Sequence, residues 1–120
     1  MTPTGGDDAK ALDASERVLV VCEVIADIVG SGEVEFLRDL RTQWAAEMGL
    51  IRIGETVAKI PDAVRARFPE QPWRQIIDMR NFAAHQYDDL DPQRVWRTLT
   101  RDVPALRTYL SGTVIPGLDA

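Results

Sequence analysis

The chain of 120 residues contains one cysteine and one histidine. A single thiol, Cys22, cannot close an internal disulfide, so a reducing cytoplasmic location is the natural expectation. Cys22 lies in an apolar helical pattern and reads as a packed core thiol, not a nucleophile. Long apolar runs are also missing. The longest, VLVVCEVIADIVG at residues 18–30, is too short to span a bilayer and carries Glu23 and Asp27. The opening MTPTGGDDAK has no basic region followed by an apolar one, so no signal peptide is expected; residues 1–12 read as a disordered lead-in to a single domain at 13–120. Strand-like alternation is absent, and so is a glycine-rich phosphate cradle after a strand. The chain has no excess of positive charge either. Its formal net charge of −5 argues against non-specific nucleic-acid binding.

The distribution of charge tempers that last exclusion. Residues 1–60 hold 11 acidic and 6 basic side chains, whereas residues 61–120 hold 8 of each. All the basic residues of the second half are arginines, whose planar fork suits phosphate. The bland reading is a solvated face with internal ion pairs.

Helical spacing dominates the pattern. A first helix over 13–30 is expected, with Asp13 as cap and Glu16 reaching back to it. Its apolar face is Val18, Val21, Cys22, Ile25, Ile28 and Val29, and Leu19, Val20 and Val24 opposite imply burial on more than one side. A second helix is expected over 33–59, with Leu37, Leu40, Trp44, Met48 and Ile51 on one face. Gly49 and Gly54 weaken it and suggest close approach of another backbone, or a bend. A short turn at 62–67 lies among Pro61, Pro69 and Pro72. A third helix over 72–87 carries Trp73, Ile76, Ile77, Met79 and Phe82. A fourth opens with Asp91 as cap and Pro92 in its first position, and Pro104 should bend it. TVIPGLDA reads as a tail. The sum is an all-α bundle of about four main helices. Trp44, Trp73 and Trp96 read as core or interface anchors, not base-stacking platforms. Capping and loop chemistry explain Asp88, Asp89 and Asp91 better than a metal cluster does.

One segment carries chemistry. In RNFAAHQY, residues 80–87, helical geometry sets Arg80, Ala84 and Tyr87 on one stripe and Asn81 and His85 on the next. Histidine can take and give protons near neutrality, and arginine can stabilise charge building on a phosphate. RNA brings its own nucleophile, the 2′-hydroxyl. One histidine per chain is awkward for an acid plus a base, and a twofold dimer would supply two. Taken alone, the spacing is common by chance and fits an exposed or capped histidine on an ordinary helix better than a nuclease site.

A longer series of motifs adds to this. Gly54, Glu55, Lys59, Ile60 and Pro61 form GE followed by K-I-P. Pro72 and Trp73 precede the apolar pair Ile76 and Ile77. Met79, Arg80 and Asn81 lead to His85 and Tyr87. Val95 and Trp96 are followed by Asp102, Pro104 and Leu106. In this order, over residues 52–110, the chain resembles the HepT-like (DUF86) proteins, minimal HEPN-domain toxins. MGLIRIGE departs from the pattern, with Met48, Gly49 and Ile51 where many relatives carry a basic and an acidic residue. The resemblance implies an all-α HEPN-like up-and-down bundle, usually a homodimer, acting as a metal-free endoribonuclease with no cofactor. It implies Arg80 and His85 as the active pair, with Asn81 in support. It also implies a toxin–antitoxin partnership with a minimal, MntA-like nucleotidyltransferase that transfers AMP onto Tyr87. A bulky anionic adduct there would block RNA. Two rivals remain: a non-catalytic module that binds a nucleotide or a nucleotidyltransferase, and a purely structural partner in an oligomer.

Overall fold

A computed structural model describes the backbone at residues 5–85 and 91–119, and the side chains at 6–81 and 91–118. The described residues are helical with no strand, as the all-α expectation requires. The helices are α1 (Gly5–Gly30), α2 (Glu33–Arg38), α3 (Leu40–Val57), α4 (Asp62–Arg65), α5 (Trp73–His85), α6 (Pro92–Arg97), α7 (Val103–Tyr109) and α8 (Ile115–Asp119). α3 is the central element, packed most extensively on α5 and next on α1. α6, α7 and α8 follow one another as a single rod, which lies along α1.

α1 starts at Gly5, not at Asp13, so most of the expected lead-in is helical. Asp7 and Asp8 sit in its first turn, where negative charge suits the helix dipole. Ala11 is fully buried, and Asp8 accepts a hydrogen bond from Arg67 at 2.9 Å. Asp13 is not a cap; it accepts from Arg17 at 2.9 Å, one turn along. α1 ends at Gly30, and Gly32 takes φ 93°, a conformation that favours glycine.

The expected second helix is two. Asp39 leaves the helical region at φ −117°, ψ 105°, ends α2 and caps α3. Its carboxylate accepts from the Arg41 backbone N–H at 3.0 Å and the Thr42 hydroxyl at 2.9 Å. The Phe36 carbonyl at the break accepts from the buried Gln43 amide at 3.0 Å. Breaking the helix lets α2 turn Phe36 inward, where its ring meets Trp96 at 5.3 Å.

α3 also packs by its other face. Ala46, Leu50, Ile53 and Val57 are buried, whereas Leu40, Trp44 and Met48 are 60%, 63% and 50% exposed. Small residues decide this, because Ala46, Gly49 and Gly54 let neighbouring helices close in. Val20 and Val24 of α1 are likewise exposed, so that helix is not buried on its second side within one chain.

Asp91 caps α6 as expected, accepting from the Gln93 N–H, with Pro92 beside it. The rod carries buried Val95, Leu99, Val103, Leu106, Leu110, Val114 and Leu118, nearly all four residues apart. A strict four-residue repeat would drift by about 40° per step around an ordinary α-helix. Two wide turns absorb the drift, Thr98–Asp102 and Leu110–Val114, where Val103 donates to the Thr98 carbonyl and Ile115 to that of Leu110. Each inserts a residue and returns the apolar seam to the core. They also precede Pro104 and Pro116, which lack the donor an α-turn would use. The terminal segment is therefore helical through Asp119 and buries Val114 and Leu118.

Candidate active site

α5 presents the candidate residues, and α3 fixes where α5 lies. Trp73 opens α5, donates its indole N–H to the Phe68 carbonyl at 2.9 Å, and sets its ring edge-on to Tyr109. Ile76 and Met79 are buried. Deeper along the helix, α5 comes backbone-to-backbone with α3 at Gly54. A Cβ at Gly54 would stand 2.8 Å from Arg80 Cβ and 2.9 Å from both the Arg80 nitrogen and the Ile77 carbonyl oxygen. Only glycine fits there, so the GE motif positions the arginine motif.

Arg80 is half-buried and Asn81 is exposed. None of the ion pairs among the described residues uses Arg80. His85 is the last described residue of α5, one turn beyond Asn81 in the helical register, and its side chain lies outside the described residues. Tyr87, Asp88 and Asp89 also lie outside them, as does the expected end of the helix. The structure thus sets positions 80, 81 and 85 on one continuous helix and secures the first against α3. Other second-half arginines are committed: Arg67 to Asp8, Arg65 to Asp62, and Arg107 to Glu23 at 3.9 Å.

Cys22 is buried, and desolvation pushes its thiol up to about 11, which suits a packing role. Trp73 and Trp96 belong to or border the core; Trp44 does not. Two features went unseen in the sequence. One is a cleft of about 570 Å³ between α5 and the α6–α7 rod. The other is the exposure of Val20, Val24, Trp44 and Met48. Helical periodicity signalled their apolar character but not which face would be covered.

These elements define a class: an all-α bundle whose central helix pair carries, on one helix, an arginine and five residues later in sequence a histidine. The family model for HepT-like ribonucleases matches residues 18–112, and the chain belongs to that family. A protein of Thermococcus cleftensis named as a probable ribonuclease HepT is 37% identical over 95 residues, covering 79% of this chain and 84% of that protein. A protein of Caldanaerobacter subterraneus, provisionally named an RNase, is 29% identical over 92 residues, covering 76% and 82%. One of Methanocaldococcus jannaschii, also provisionally an RNase, is 33% identical over 73 residues, covering 61% and 60%. No solved structure matches the chain. Among the described residues, no helix is long and apolar enough to cross a membrane.

Proposed function

We propose that this chain is the toxin of a cytoplasmic toxin–antitoxin pair, a metal-independent endoribonuclease. The observation that carries the reading is Arg80: in no ion pair among the described residues, half-buried, set against Gly54, and in helical register with His85 in a chain of the HepT-like family. In the proposed reaction His85 takes the proton of an RNA 2′-hydroxyl. The 2′-oxygen attacks the adjacent phosphorus, the bond from phosphorus to the 5′-oxygen breaks, and the leaving oxygen gains a proton. The products are a 2′,3′-cyclic phosphate and a 5′-hydroxyl. Arg80 stabilises the charge on the pentacoordinate phosphorus, and Asn81 orients the strand.

One histidine cannot be base and acid in the same step, so the site is proposed to lie between two chains. The exposure of Val20, Val24, Trp44 and Met48 supports a homodimer, because covering their remaining apolar surface is favourable by roughly 25 cal/mol per Å². Tyr87, two residues beyond His85, is proposed as the target of AMP transfer by a cognate MntA-like nucleotidyltransferase, which would close the site to RNA.

The test is RNA cleavage in EDTA by wild type, Arg80→Ala and His85→Ala, each with unchanged helicity and dimer mass. Cleavage that both variants lose supports the reading. No cleavage by wild type with unmodified Tyr87, together with ATP or AMP binding, would replace it with a nucleotide-binding module.

A further inference from the structure

One cleft lies apart from Arg80. It lies between α5 and the α6–α7 rod, holds about 570 Å³, and falls within the range of about 300–1,000 Å³ usual for small-ligand sites. Ile76, Met79 and Ala105 contribute apolar lining. Three carboxylates border it, Glu70, Asp78 and Asp102, against one arginine, Arg94, which is already partnered. Asp78 and Asp102 take part in no ion pair among the described residues. That charge balance repels RNA phosphates.

A second observation points to a ligand. Gln71 lines the cleft and is 8% exposed, yet its side-chain amide has no hydrogen-bond partner among the described residues. Its polar atoms keep some exposure, so a ligand seated in the cleft can take up the amide's hydrogen bonds in place of solvent. Nearby, the Tyr109 hydroxyl donates to Glu70 at 2.7 Å. Burial, reinforced by that carboxylate, pushes Tyr109 up to about 12, so it stays a donor at neutral pH and holds Glu70 at its level of the rod. Asp102 lies seven residues earlier, about two turns or roughly 10 Å along the helix. Carboxylates at that separation, with an apolar wall between them, match a chain of methylenes with an ammonium at each end.

We propose that this cleft binds a linear aliphatic polyamine, its ammonium groups on Glu70, Asp78 and Asp102, its methylenes on Ile76 and Met79, and its central nitrogen donating to the Gln71 amide oxygen. The proposal stands independently of nuclease activity.

Calorimetric titration of the intact protein with spermidine at physiological salt tests it. One saturable site per chain is expected. The double variant Asp78→Asn, Asp102→Asn, at two exposed positions, weakens binding at least about tenfold. Gln71→Leu changes no charge, so weakening by this variant separates a built site from diffuse attraction. Asp27→Asn with Glu33→Gln, carboxylates away from the cleft, leaves binding unchanged. Backbone amide shifts should cluster at 70–79 and 94–109, a readout that needs no variant. Absent saturable binding, equal weakening by the control pair, or shifts scattered over other carboxylates overturns the proposal. Capture of an arginine-rich peptide without spermidine binding would also overturn it, making the cleft a protein-docking groove.

Discussion

Gly49 and Gly54 differ by five positions on one helix and by the kind of atom they face. Gly54 meets backbone, the Arg80 nitrogen and the Ile77 carbonyl, which cannot move without shifting α5. Gly49 meets the tip of Ile25, whose Cδ1 would lie 3.2 Å from an added Cβ and can rotate away. Gly54→Ala should therefore destabilise the protein by about 1–3 kcal/mol, read as a lower urea midpoint, and should impair RNA cleavage by displacing Arg80. Gly49→Ala should be near neutral, since alanine's helix propensity, worth about 1 kcal/mol, offsets the tighter contact. Equal effects from the two would refute the close-approach account of Gly54. Cys22 is another residue set by its surroundings. With its thiol pushed up to about 11 by burial, it should react with a disulfide reagent at pH 8 only as fast as the chain opens, and promptly in urea.

Elements carry their own predictions. The N-terminal half-turns of α1 are tied to distant parts of the chain through Asp8 and Arg67, the latter also donating to the Gly117 carbonyl at 3.4 Å. Deleting residues 1–12 should lower the thermal midpoint, whereas a disordered lead-in would leave it unchanged. At the α2–α3 break, the Thr42 hydroxyl and then the backbone amides hold the Asp39 carboxyl below its ordinary value of 3.8. A carboxyl depressed in the folded state contributes stability above its unfolded pKa and loses it as pH falls through the folded value. The amide signals of Arg41 and Thr42 should therefore titrate together below about pH 4 in NMR spectra, and Asp39→Asn should abolish that titration. The wide turns belong to this scale too. They let seven apolar residues spaced mostly by four share one seam despite an ordinary helical period of 3.6.

The whole chain is elongated, 51 × 26 × 21 Å, and leaves apolar residues of α1, α2 and α3 in solvent. Pairing would cover that side. Trp44→Glu should halve the mass seen by light scattering while preserving helical ellipticity, and should abolish cleavage if two histidines are needed. A wild type already monomeric at high concentration would exclude this interface. The exposed cluster also illustrates the limit of periodicity. α3 offers two apolar stripes, and periodicity singled out the one with Leu40, Trp44 and Met48, which stays in solvent. The larger residues Leu40, Trp44 and Met48 stay outside because Ala46, Gly49 and Gly54 permit closer helix contact inside.

Local physics was legible without coordinates. The all-α class followed from spacing, the Asp91–Pro92 start of α6 from cap chemistry, and the candidate pair Arg80 and His85 from the motif series on one helix. Gly54 was readable as a helix contact because glycine within a helix is costly without a reason. Tertiary structure alone decided where α1 begins, since the burial of Ala11 and the Asp8–Arg67 bond depend on residues far along the chain. It alone chose the inner face of α3, broke the helix at Asp39 and opened the acidic cleft beside α5. Each of these depends on contacts between residues distant in sequence, and a local pattern does not encode them.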